Sequence, residues 1–321
     1  MKTARFFLIF ATLVLLCGVR GANGQQLPAP VPIQPQLVIL DTDIGDDIDD
    51  AFALALALHS PELKLVGITT AFGDTELRAR LVDRYLKAVG RDDIPVAAGP
   101  ATAQSNVFSQ AAYARRSPAQ KHIDAVDFLL NQIRAHPGQI TLISIGPLTN
   151  VQAAIERDPA TFRQLKRAVI MAGSVYRGYG DANRPPDSEW NVRCDPAGLR
   201  LLLASGVPVF MMPLDSTQIH LEPAEREAIF AHGSPLTDQL TLLYHQWATQ
   251  ADNHSPTPTL FDPVAVTYAL RPDLCPMTSL RLEVDEQGFT RPVVGAPNAQ
   301  VCLKSDEKGF LELLLSRITK D

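Results

Sequence analysis

The sequence predicts an α/β fold, a single domain built on an open, mostly parallel sheet with helices on both faces. Two observations carry this. Short apolar, β-branched runs alternate with segments of helical spacing along the body of the chain. The polar, glycine-containing motifs fall directly after those runs, beyond the carboxyl ends of the expected strands, where open α/β sheets bind ligands.

In chain order, the runs Leu37 to Leu40, Leu65 to Thr70, Pro95 to Ala98, Ile140 to Ile145, Ala168 to Ala172 and Val207 to Met212 read as buried strands. The helical segments are Asp50 to His59, Thr75 to Val89, Ile123 to Ala135, Pro196 to Ala204 and Pro235 to Gln250. Strands at Leu280 to Val284 and Ala299 to Lys304 and a last helix from Asp306 to Ile318 are expected to complete the sheet. No composition break and no internal repeat divides the chain, so one domain is expected over residues 36–321.

The start, with Lys2 and Arg5 before the apolar stretch Phe6 to Leu16 and small residues near Ala22 to Gly24, reads as a cleaved signal peptide over residues 1–24. The stretch is shorter than the roughly 20 residues a membrane span needs, so no stable insertion is expected after cleavage. Residues 25–35, with "LPAPVPIQP", form a proline-rich linker. A secreted or periplasmic location follows. There Cys275 and Cys302 are candidates for a disulfide, and in a eukaryotic secretory pathway Asn253, before His254 and Ser255, would be a glycosylation acceptor. A net charge of −6 over 321 residues, with Lys and Arg scattered, gives no basic field for nucleic acid.

Six aspartates stand between Asp41 and Asp50, where the first strand gives way to a helix. A helix N-terminus favours one or two carboxylates, Asp49 or Asp50, and not the whole set. Crowded carboxylates raise one another's pKa unless a cation holds them ionised. With no His or Cys in the motif, the donors are all oxygen, which points to a hard ion; the number of carboxylates, the turn at Gly45 and an exported setting favour Ca²⁺.

"LDTDIGDDIDDA" resembles the N-terminal signature of the inosine–uridine-type nucleoside hydrolases. The similarity continues in order through "GITTAFG", "SIGPLTN", "VIMAGS", "EWN", "PLDSTQ" and "FDPVAVTYAL", from about Val38 to Leu270. The resemblance implies a Rossmann-like domain that binds one Ca²⁺ and hydrolyses the N-glycosidic bond of ribonucleosides. It implies Asp43, Asp50 and Asp262 as side-chain calcium ligands, with the backbone carbonyl of Ile145, where the family usually has Thr. It further implies ribose contacts from Asp49, Asn183, Glu189 and Asn191. Asp43 is then the general base for water. The partner implied is a small-molecule ribonucleoside, with assembly of further copies of the chain left open.

Singly, these residues have plainer explanations. Asp262 before Pro263 is a good helix cap, Glu189 can be a solvated charge and Trp190 a core residue. The chain also departs from the family. The turn is two residues longer, so Asp46 or Asp47 competes for the assigned roles. Phe261 replaces a His that many members use to protonate the leaving base, Asp74 stands where Asn is common, and His122 does not align with the family's glycine-rich loop. Either the base is activated another way or the leaving group differs; Tyr244, His245, Trp247 and His254 lie in the segment that could supply a replacement. Two rival functions are a calcium-dependent nucleoside-binding protein without turnover and a haloacid-dehalogenase-type phosphatase. "LVILDTD" resembles the latter's motif, with Asp41 as nucleophile.

Overall fold

The computed structural model describes residues 34–103, 107–181, 183–250 and 257–320. The signal peptide expected over 1–24, nearly all of the linker expected over 25–35, and the Asn253 acceptor with His254 lie outside them. Residues from Gln34 onward form one compact unit. None of its helices is long and apolar enough to cross a membrane.

The strands are β1 (Gln36–Thr42), β2 (Leu63–Thr70), β3 (Val96–Ala98), β4 (Ile123–Asp124), β5 (Thr141–Ser144), β6 (Arg167–Met171), β7 (Val209–Met212), β8 (Met277–Val284), β9 (Thr290–Val293) and β10 (Ala299–Cys302). They form one sheet in the order β4-β3-β2-β1-β5-β6-β7-β10-β8-β9. Pairing is parallel from β4 through to β10, and antiparallel where β8 joins β10 and β9 joins β8. From β1 the chain winds outward to β4, then returns to place β5 on the other side of β1. The β1/β5 junction is therefore the topological switch point, where the connecting loops diverge and leave a crevice.

Each face carries its own core. On one face the helix Asp49–Leu58 is buried along all but its last residue. It packs against the helices Pro263–Leu270, Pro235–Gln250 and Glu307–Ile318. Its sequence, apolar all round after two aspartates, suits a helix with no solvent face. The helices Ala125–Ala135, Thr149–Arg157 and Pro196–Ala204 cover the other face. Outside the sequence expectation lie the two-residue β4, the edge strand β9 and the helices Thr149–Arg157 and Pro223–Ala231. Cys275 and Cys302 are joined, with Cα atoms 5.6 Å apart, and tie the chain entering β8 to the end of β10. Cys194 is free.

Candidate active site

The site is built from the end of β1. Residues on a strand alternate sides, so Asp41 and Asp43 begin on one face, yet they end in different places. Asp41 is buried, and its carboxylate accepts hydrogen bonds from Thr69 Oγ1 (2.6 Å), Asn150 Nδ2 (2.7 Å) and Ser144 Oγ (2.9 Å). It laces β1 to β2, β5 and the following helix, and takes no part in the cavity wall. Thr42 donates its hydroxyl to Asp50 and accepts from the Ile44 amide. Asp43 lines a cavity of about 180 Å³ at the switch point.

The aspartate-rich turn from Asp43 to Ile48 is held from outside. Gly45 has φ +127°, and a Cβ there would stand 2.1 Å from the Phe108 ring, so only glycine fits. Arg78, on the helix Thr75–Ala88 and completely buried, donates to the carbonyls of Phe72 (2.8 Å), Asp43 and Ile44 (3.0 Å) and pairs with Asp46 at 2.7 Å. Ser109 and Gln110 donate to the carbonyls of Asp46 (2.7 Å) and Asp47 (2.6 Å). The sequence gives no sign that one arginine of "TELRARLVDRYLKA" is the internal counter-charge of this turn. Gly146, just after β5, meets it from the other side: a Cβ there would lie 2.7 Å from Asp43 Oδ1 and 2.8 Å from its amide nitrogen.

Asp49, Asp50 and Asp262 are buried and can each bring one carboxylate oxygen within 4.8 Å of the others. Asp262 precedes the helix Pro263–Leu270, but its side chain caps nothing. Its amide instead donates to Asp49 Oδ2 at 3.2 Å, drawing Asp49 into the group. Burial raises all three carboxyls well above their ordinary range, and mutual repulsion adds to it. Burial likewise pushes Asp43 up to about 7, with Arg78 opposing. Among the described residues no lysine or arginine lines the cavity, and its carboxylates are all hard oxygen donors. This donor set fits a divalent hard cation and not a soft metal. Of the residues expected around the ion, Asp50 and Asp262 are in the close triad. Asp43 and Ile145 line the cavity beside it, while Asp49, expected on the sugar, completes the triad.

Glu189 caps the short helix Trp190–Cys194. Its carboxylate accepts from the amides of Asn191 (2.8 Å), Val192 (3.2 Å) and Gly173 (2.8 Å). The next residues turn into the cavity as a result. Asn191 donates to the carbonyls of Ile145 and Met171, both at 3.0 Å, so both its N–H groups are spent and its Oδ1 is what remains for a ligand. Asn183 is different: it is exposed in the turn from Asp181 to Arg184 and does not line the cavity.

The outer wall is aromatic. Trp190, which the sequence alone would place in the core, is half-buried on the wall, edge-on to Phe72 at 6.3 Å and beneath Arg193 at 4.9 Å. Phe261 faces Tyr179 edge-on at 6.0 Å. Tyr179, unmarked in the sequence, comes from the long loop after β6. That loop is pinned by Asp215, which accepts from the amides of Val175 and Tyr176 at 2.9 and 2.8 Å, and by Gln218, which accepts from Gly180 at 2.7 Å. Of the alternative donors, Trp247 is hydrogen-bonded to Asp47 on the cavity wall and His254 lies outside the described residues, while the other candidates stand apart. His245 is exposed, packing beside Tyr244 and Phe230, and His122 bridges Glu76 (2.6 Å) and Asp83 (2.9 Å). Asp74 caps the helix that carries Arg78.

Fold and cavity together define an α/β protein with a buried carboxylate cluster, fit to hold a hard cation, at the switch point of its sheet. The chain belongs to the inosine-uridine preferring nucleoside hydrolase family, whose match covers residues 38–312. It is 32% identical over 314 residues to the pyrimidine-specific ribonucleoside hydrolase RihA of Citrobacter koseri, covering 88% of this chain and 97% of the relative. RihA of Escherichia coli is 31% identical over the same shares. The fold is shared with the plant nucleoside hydrolase PpNRh1, at TM-score 0.80 and 26% identity over 90% of this chain and all of that one. It is shared too with a purine-preferring ribonucleoside hydrolase from Gardnerella vaginalis, at TM-score 0.76 and 24% identity over 88% and 98%. The chain is thus a nucleoside hydrolase, an N-glycosidase of a metal-dependent family.

Proposed function

We propose that this chain is an exported, Ca²⁺-dependent ribonucleoside hydrolase that releases ribose and free base. The observation that carries this is the buried group of Asp49, Asp50 and Asp262, converging on the cavity that Asp43, Ile145, Glu189 and Asn191 also line. Asp43, Asp50 and Asp262, with the Ile145 carbonyl, would hold the ion, and Asp49 stands in the close triad with Asp50 and Asp262. When bound, Ca²⁺ supplies the positive charge that keeps these carboxylates ionised and makes a neighbouring water more acidic.

The chain's own groups do the rest. Asp43 accepts a proton from the water that attacks the anomeric carbon. Asp49, Glu189 and Asn191 offer acceptors to the ribose hydroxyls, and Asn183 is the member of that expected set on the exposed turn. The surrounding carboxylates stabilise the oxocarbenium-like charge on the sugar as the bond to the base breaks. At about 180 Å³ the cavity falls below the roughly 300–1,000 Å³ of most ligand pockets. It suits a sugar, with the base lying against Tyr179, Trp190 and Phe261. Because the RihA relatives carry a pyrimidine-specific name, uridine and cytidine are the first substrates to test. The expected signal peptide over 1–24, the linker over 25–35 and the Cys275–Cys302 pairing support export.

The deciding measurement is reducing sugar released from uridine, cytidine and inosine and from their 2′-deoxy forms, with and without chelator, alongside calorimetric titration with Ca²⁺. Release from ribonucleosides, lost on chelation and at least about 10²-fold weaker on the deoxy forms, is expected. Ca²⁺ binding and tight nucleoside binding without release would make it a binding protein. Phosphate release from sugar phosphates would favour the phosphatase, although Asp41 is sealed away from the cavity.

A further inference from the structure

Breaking a bond to a nucleobase leaves an electron pair on the base, and some group must meet that charge. Seven of the thirteen residues lining the cavity are carboxylates and three, Ile145, Met171 and Phe261, are apolar. The carboxylates are arranged as acceptors. Asp46 is paired with Arg78, Asp47 and Asp49 accept from backbone amides, Asp50 accepts from Thr42, and Glu189 accepts from three amides. The lining residues left are Asn191, Trp190 and Tyr179. Asn191 has spent both donors on the carbonyls of Ile145 and Met171. The Trp190 ring packs against Phe72 and Arg193, and its indole N–H is a weaker acid than a phenol O–H, so it is the poorer donor to a developing anion.

Tyr179 differs from both. Its oxygen accepts the Trp190 amide at 2.9 Å, which fixes the hydroxyl in place and leaves its own O–H to donate. Its ring rests edge-on against Phe261, beside Asp262. The phenol thus spans the cavity's outer wall, from the start of the helix Trp190–Cys194 to the chain entering the helix Pro263–Leu270. Its backbone is anchored as well, the amide donating to Asp187 Oδ2 at 3.2 Å. Burial raises the phenol's pKa, so it stays protonated and acts as a donor rather than an anion.

We propose that the Tyr179 hydroxyl is the hydrogen-bond donor to the departing base, the catalytic residue of the leaving-group half of the site. This rests on the hydrolase reading above. As water attacks the anomeric carbon, the carbon–nitrogen bond breaks with its electron pair passing to the base. The water proton goes to Asp43. The base departs as an anion bonded by the Tyr179 O–H, then takes a proton from solvent, to which Asp43 returns its own. Atoms and charge balance without a co-reactant.

The test is Tyr179→Phe in the full-length chain with Ca²⁺, assayed on uridine, inosine and p-nitrophenyl riboside, whose phenolate leaves without help. A fall in kcat of about 10²-fold on the nucleosides, with the nitrophenyl substrate within about threefold of wild type, is expected. Retained nitrophenyl turnover also shows that the variant is folded and its sugar site intact. An equal fall on all three substrates makes Tyr179 merely part of the wall, and unchanged nucleoside rates make it unnecessary; either outcome overturns the proposal. If wild type released ribose from none of them, the hydrolase reading would fail first and take Tyr179 with it.

Discussion

At the centre of the sheet, between β1 and β5, the chain buries charge; at the far edge, where β8 and β9 turn antiparallel, it buries little. The centre is organised by hydrogen bonds from several segments: three to Asp41, three to Glu189, and those of Arg78 to the turn. At the edge, β8 buries Leu282 and Val284 but exposes Thr278, Ser279, Arg281 and Glu283, Val294 is fully exposed, and a covalent link closes the strands onto the body. Hydrogen bonds at the centre place charge where the chemistry needs it and add little net stability each. The link at the edge holds structure, and neither of its cysteines lines the cavity. Activity and stability should therefore separate along the sheet.

The sharpest break of that contrast comes from Asp43→Ala. Turnover should fall by about 10³-fold or more, since the proposed base is lost, while the melting temperature of the variant stays near wild type. A melt that collapsed along with the rate would make Asp43 a structural residue and erase the distinction. Arg78→Met probes the one place where the centre is also structural. It removes the buried guanidinium paired with Asp46 and deprives three carbonyls of their donor, so urea unfolding should show a loss of about 3–5 kcal/mol, with weaker Ca²⁺ binding. At the edge, replacing both Cys275 and Cys302 by Ser should cost about 2–4 kcal/mol of stability and leave kcat at room temperature unchanged. Activity lost in step with the disulfide would mean that the two regions are coupled.

The smallest effect lies away from both regions, at His122. Hydrogen bonding to Asp83, and then to Glu76, raises its pKa above the ordinary 6.5. A raised folded-state value means that the protonated ring stabilises the fold fully below about pH 6.5, a contribution lost as pH rises through the raised value. Because Glu76 and Asp83 are partly exposed, His122→Ala should cost under about 1 kcal/mol near pH 5.5, and less near pH 9. Chemical denaturation at the two pH values measures it, and a cost that grew with pH would contradict the assignment.

Much of this was legible before the fold was known, because its signals are local. The run Leu37–Leu40 and the all-apolar helix after Asp50 state their burial in their own composition, and "DTDIGDDIDD" announces charge needing an ion. What escaped is non-local. Arg78 looks like Arg80 and Arg84, and only the packing of its helix on a turn some 35 residues earlier makes it the buried one. Asp41 and Asp43 share a motif, and the donors that separate them arrive from residues 69, 144 and 150. Tyr179 comes from a loop whose path is set by Asp215 and Gln218. β9 is short, contains Pro292 and sits at an edge, where pairing asks little of its side chains.

Gly146 has a consequence for anyone who would re-engineer this enzyme. On the Gly146 side the chain itself leaves no room beside Asp43, so a single methyl at that position would press on the proposed base rather than on a spectator. A library that varied the cavity wall should therefore treat residue 146 as fixed and search for new specificity along the aromatic rim. There, the side chains of Phe261 and Trp190 can change size without leaning on the proposed base, with Tyr179 kept for its hydroxyl.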